Sequence, residues 1–128
     1  MSEWSRPFVA RILLRGLSAL LTICLLVQFF IAGIAAMTDP GWWTYHSAWI
    51  AIFQWLVVPL PILAWFGGPA RGRRTLFACI PLPQIALQYV LAHRAMEGRL
   101  AIGLGLHALD GALLLLIAAA LAVGLFDR

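Results

Sequence analysis

The chain has no lysine and little charge of either sign. Charged residues make up 11% of its 128 positions, against about 25% in an ordinary soluble domain. Hydrophobic residues make up 63% and mean hydropathy is +0.95, so there is too little polar surface to cover a water-facing fold. The nine basic residues, all arginine, give a net charge of +4. They sit at the ends of apolar runs and in the loops between them, which argues against a nucleic-acid-binding face. There are only two cysteines, Cys24 and Cys79, each inside an apolar run, and there is no CxxC or CxxCH. A disulfide framework and covalent haem attachment are therefore both unsupported, and the cysteines read as small buried hydrophobes. No loop is long enough to fold alone, so residues 1–128 read as a single transmembrane domain.

What the sequence does contain is four apolar runs, each near or above the roughly 20 residues that a membrane helix needs. They extend over Phe8 to Met37, Trp43 to Phe66, Leu76 to Met96, and Leu100 to Phe126. Breaks fall at Thr38 to Gly41, at Gly67 to Gly72, and at Glu97 to Arg99. Basic residues precede the first run, and Ala32 to Ala36 has the small-residue look of a cleavage site. The run is longer than the apolar core of a signal peptide, which favours an uncleaved span. Short connections make neighbouring helices antiparallel, so the expected fold is an all-α, integral membrane, up-down four-helix bundle.

Arginine counts set the expected orientation. Arg6, Arg11, Arg15, Arg71, Arg73, Arg74 and Arg128 fall on one side, and only Arg94 and Arg99 on the other. The positive-inside rule then places both termini in the cytoplasm of a multi-pass protein of the bacterial inner membrane. Trp42, Trp43 and Tyr45 read as an aromatic anchor at the outer interface. The triplets Pro59, Leu60, Pro61 and Pro81, Leu82, Pro83 interrupt spans two and three at similar depth. Each should bend its helix. The result is either bundle shape alone or a widened inner cavity for a lipid or quinone tail.

Polar side chains inside hydrocarbon are costly and point to function. Here they are Gln28, His46, Gln54, Gln84, Gln88, His93, His107 and Asp110. His46 opens span two, His107 lies roughly 10 Å down span four at 1.5 Å per residue, and His93 lies near the outer end of span three. Spans two and four face each other diagonally in an up-down bundle, so His46 and His107 can approach a shared centre from opposite directions, as two axial ligands of a haem iron must. Gly103 and Gly111 flank His107 by one turn on each side, leaving either room for a porphyrin or a surface for close helix packing. Gln28, Gln88 or Asp110 would orient the ring nitrogens. Arg94 and Arg99 suit haem propionates, or else lipid headgroups or Glu97. Polar cross-linking of helices by the same residues is the competing reading, and zinc is disfavoured for want of further ligands.

The string Val27 to Gly33, the histidine opening span two, Leu87 to Ala92, and Leu106-His107 followed by Asp110 and Gly111 together resemble a small uncharacterised family of bacterial four-helix membrane proteins. The layout is also similar to one half-bundle of the haem A synthases and to b-type cytochrome bundles. That resemblance implies haem b, with His46 and His107 as its ligands. This chain has one half-bundle rather than two, so an electron-carrying role is expected rather than an enzymatic one. The leading expectation is a one-haem electron-transfer or redox protein. The alternative is a cofactor-free accessory subunit packed against a larger membrane complex. A third reading is a quinone-binding or transporter-like protein, motivated by the proline triplets and Asp110. The expected partners are the lipid bilayer, other membrane subunits or quinone, and no nucleic acid.

Overall fold

Proline lies in the first helical segment only at Pro7, inside the first turn, where its missing N–H breaks no bond. From there one helix runs unbroken. In the computed structural model, which describes residues 5–127, this is α1 (Arg6–Met37). Arg128, counted above with the arginine-rich side, lies outside the described residues. A 3-10 turn at Pro40–Trp42 leads into α2 (Trp43–Phe53), and a second at Gln54–Val57 into α3 (Pro59–Phe66). Then follow α4 (Arg71–Cys79), α5 (Pro81–Met96) and α6 (Gly103–Ala122). Taken as four spans, Arg6–Met37, Pro40–Phe66, Arg71–Met96 and Gly103–Ala122 are each long and apolar enough to cross a membrane.

The four spans overlap the expected runs with shifted ends: the first begins at Arg6 rather than Phe8 and the last at Gly103 rather than Leu100. Helix begins at Arg71 rather than at Leu76, and the last helix ends at Ala122 rather than at Phe126. Gly124 explains that second end. Its φ is +73°, the Leu125 N–H bonds back to Ala120 and the Gly124 N–H to Leu121, so the terminal carbonyls are closed by a Schellman-type turn.

Both proline triplets interrupt regular helix, and both do so in the same way. Pro59 and Pro81 cannot donate to the carbonyl four residues back. Val58 N–H instead bonds Trp55 at 3.2 Å, and Ile80 N–H bonds Phe77 at 3.3 Å. The carbonyl that each proline would strand is thus taken by its preceding residue in a tightened turn. At this level Leu60, Ala64, Ala78 and Pro81 are fully buried in the core, which favours bundle shape alone over a widened cavity.

Each span packs against two others around the bundle, the first closing against the last. α1 meets α6, α2 and α3, α3 meets α4, and α5 meets α6, so spans two and four are diagonal. Core side chains recur at helical spacing, as with Leu14, Leu21 and Leu25 of α1 or Leu114, Ala118 and Leu121 of α6. At most 28% of any span's apolar window is buried inside the protein. Phe30, Ile52, Leu76 and Leu116 point outward, an arrangement suited to lipid contact and unfavourable in water. Cys24 is buried as expected. Cys79 is not: it sits on the outer side of α4, exposed.

At the arginine-rich end one side chain holds the bundle closed. Arg74 is fully buried. Its Nε donates to Asp127 at 2.7 Å, Nη2 to the Pro69 carbonyl at 2.7 Å, and Nη1 to the Ala64 carbonyl at 3.4 Å. Arg15 reaches the same Asp127 carboxylate through Nε and Nη2 at 3.0 and 2.5 Å, passing over Gly124, where any side chain would collide with it. Arg11 donates to the Gly67 carbonyl at 3.3 Å. Burial pushes the Asp127 carboxyl up, but hydrogen bonds from Arg74 and Arg15 outweigh it and hold the group below its ordinary range. Three arginines expected only as loop charges therefore act as fasteners among all four spans.

Candidate functional site

Span four carries its polar residues on its buried stripe. Gly103, Asp110, Leu114 and Ala118 face inward, and His107 falls between the first two at helical spacing. Its ring meets α5. His107 Nδ1 lies 3.1 Å from the Gln88 carbonyl. A carbonyl can only accept, so Nδ1 carries the proton and Nε2 keeps its lone pair. Gln88 answers with its side chain. Its Nε2 donates to the His107 carbonyl at 2.8 Å and to Asp110 Oδ2 at 2.7 Å. Gln84 Nε2 donates to Asp110 Oδ1 at 3.3 Å. The one acid inside a span thus lies between two amides, and a single residue, Gln88, fixes both the backbone and the ring of His107.

His46 enters from α2. Gln28 Nε2 donates to the His46 carbonyl at 3.1 Å, and Trp49 Nε1 donates to the Cys24 carbonyl at 3.0 Å. These two bonds set α2 against α1. Trp43, read from sequence as a membrane anchor, stands edge-on to the His46 ring at 5.3 Å. The expected anchor is therefore divided: Trp42 pairs with Tyr45 at 5.4 Å, and Trp43 belongs to the site. His46 Nδ1 and Gln28 Oε1 are both buried without a hydrogen-bond partner.

The two rings face each other. Their centroids are 6.4 Å apart, with planes inclined at 55°. Two imidazoles that bind one metal ion from opposite sides, each nitrogen about 2 Å from it, have centroids roughly 6 Å apart. The spacing alone does not decide the matter, since ordinary aromatic pairs fall in the same range. The contact of His107 Nδ1 with the Gln88 carbonyl adds what an aromatic pair does not need: a ring orientation fixed at Nδ1 that leaves Nε2 for another partner. Among the described residues no cluster of three or more His, Cys, Asp or Glu could hold a metal ion. Two nitrogens and no third ligand suit a metal that arrives with its own equatorial donors. α2 packs mainly on α1 and reaches α6 through the ring contact of His46 with His107.

The remaining expected site residues lie elsewhere. His93 is 74% exposed and pairs with Glu97 at 2.9 Å. Arg94 and Arg99 approach the same Glu97 at 3.6 and 3.4 Å, so both face a carboxylate of the neighbouring loop. Gly103 sits at the crossing of α5 and α6, where a Cβ would fall 2.8 Å from that of Ala95. A Cβ on Gly111 would meet Phe29 at 3.4 Å and Gln88 at 3.7 Å. These glycines allow close approach of neighbouring helices and of Gln88. Gln54 bonds locally to the Ala51 carbonyl.

Sequence reasoning missed Arg74 as well as Trp43. A signal existed: Ile85, Pro81 and Ala78 form the buried stripe of span three, and continuing it one turn back lands on Arg74.

Residues 28–96, more than half of the chain, match the profile of a family described as a family of unknown function, DUF6220. The match takes in Gln28, His46 and Gln88 and ends before His107. No curated protein and no solved structure matches, so the likeness to haem A synthases rests on the short motifs alone.

Proposed function

Since the chain belongs to the DUF6220 family, whose description names no function, we propose from its own residues that it is a small b-type haem protein of the bacterial inner membrane. In this reading His46 and His107 hold the group, and the role is electron transfer or redox sensing rather than catalysis. The observation that carries this reading is the pair of diagonal histidines 6.4 Å apart, one of them with Nδ1 on the Gln88 carbonyl. When bound, haem supplies one-electron redox chemistry. The chain's part is to present Nε2 of His107, to keep that ring from rotating through Gln88, and to shield the His46 ring with Trp43. Gln28 holds the His46 backbone.

The test is optical. Protein purified in detergent, from cells supplied with a haem precursor, should show a Soret band that sharpens and shifts on dithionite. A colourless protein that also takes up no added haemin would exclude the site and leave the accessory-subunit reading, which the outward Trp55, Trp65 and Phe66 would then favour.

Orientation belongs to the same proposal. The seven-to-two arginine split places both termini in the cytoplasm and the histidine pair toward the outer face. A reporter active only outside the membrane, fused after Arg128, should stay silent. A strong signal would invert the bundle and bring the histidines to the inner side.

A further inference from the structure

We propose that the arginine-rich end carries a binding site for an anionic phospholipid, in the groove between the first turns of α1 and the segment that follows α6. The groove encloses about 270 Å³ and is lined by Phe8, Arg11, Ile12, Arg15 and Asp127. Arg11 and Arg15 are four residues apart and so share one helix face, as do Phe8 and Ile12 beside them. One wall thus offers two guanidinium groups, and next to them two outward apolar side chains, 38% and 44% exposed.

The charge at this end is unbalanced. Arg15 and the buried Arg74 share the single carboxylate of Asp127, and Arg11 meets only a neutral carbonyl. Among the described residues, these three guanidinium groups meet one carboxylate, which leaves two positive charges in excess. Arg15 spends Nε and Nη2 on Asp127, leaving Nη1 for an outside acceptor. A phosphodiester supplies the missing negative charge in the geometry that arginine binds best. The groove lies where the apolar run of span one begins, at headgroup depth, and basic pockets at this level suit anionic lipid headgroups. A soluble phosphate would make no use of Phe8 and Ile12. A lipid would lay its glycerol and first acyl carbons along them.

A second hollow at the same end, of about 510 Å³, is lined by Trp65, Phe66, Gly68, Pro69, Ala70 and Arg71. Its one cation, Arg71, already lies 4.8 Å over the Trp65 ring. It therefore supplies the comparison that the test needs.

The proposal is independent of the haem reading. The full-length protein is released from mixed micelles containing equal phosphatidylglycerol and phosphatidylcholine into native mass spectrometry. One phosphatidylglycerol should be retained in preference to phosphatidylcholine. Arg11→Gln should lower that retention about five-fold, the effect of one interfacial cation. Ile12→Ser should lower it as well, and Arg71→Gln should leave it within about two-fold. Excess inorganic phosphate should not displace the lipid. Equal retention of the two lipids would overturn the site. So would an equal loss in Arg11→Gln and Arg71→Gln, which would mean diffuse surface charge. Displacement by inorganic phosphate would make it a soluble-anion site instead.

Discussion

In the proposed haem reading, replacing His107 by alanine should abolish the haem absorption spectrum, replacing His46 should do the same, and replacing His93 should leave it intact, as read by visible spectroscopy on the three purified variants. The geometry separates the three residues. His46 and His107 face each other at 6.4 Å from diagonal spans, whereas His93 is 74% exposed and faces Glu97. With either imidazole gone, a single residue would be left to hold the group, and haem retention should fall. Gln88→Ala supplies an intermediate case. It removes the amide that ties Asp110 to the His107 backbone but not the Gln88 carbonyl that orients the ring, so affinity should fall by about ten-fold or more, as with other orienting partners, without a change of spin state. Bleaching by His93→Ala alone would refute the diagonal assignment.

The second large effect lies at the other end. Asp127→Ala should destabilise the protein by about 3–5 kcal/mol, because it strands a fully buried guanidinium. Arg15→Gln removes the other ion pair to the same carboxylate, but Arg15 is 48% exposed and the loss should stay within about 1 kcal/mol. Thermal or denaturant melts in one detergent read both. The paired variant Arg74→Met with Asp127→Leu should recover much of what Asp127→Ala loses, since it removes both charges together. If Asp127→Ala melts within about 1 kcal/mol of the parent, the clasp is decorative. Acid should mimic the loss. The folded carboxyl titrates below its unfolded value, so its contribution is complete above about pH 4 and declines as pH falls through the folded value.

The two ends of the molecule differ in how far the sequence revealed them. The spans were legible because twenty-residue apolar runs have no other stable home than a membrane helix. The diagonal relation of His46 and His107 followed from connections too short to allow anything but neighbouring antiparallel helices. What spacing could not show was side-chain direction at a helix end. Arg74 is polar, stands in a loop-like stretch of arginines, and counts naturally toward topology. Its burial depends on the turn at Pro69 and on a carboxylate 53 residues later, a relation no local pattern contains. Arg94 and Arg99 were open to more than one partner for the same reason, and Glu97, close to both, is the one they meet. The proline triplets were legible as interruptions but left bundle shape and cavity both open, because an interruption says that a helix changes course and nothing about what fills the inside of the bend.

The Asp127 clasp also imposes an order on events. Asp127 follows Arg15 by 112 residues and Arg74 by 53, so neither arginine meets its carboxylate until span four has been synthesised. Through the making of the first three spans, Arg74 stays in water or among headgroups and resists being drawn inward. Only when α6 swings into place against α1 and α5 does burial of that charge become favourable. The clasp should thereby keep the bundle from closing early around an incomplete set of helices, and a nascent chain halted before span four should expose a cation that the finished protein buries. A ribosome-stalled series of increasing length, carrying Ala78→Cys one turn from Arg74 in a background without native cysteines, would register that moment as a step in protection from labelling.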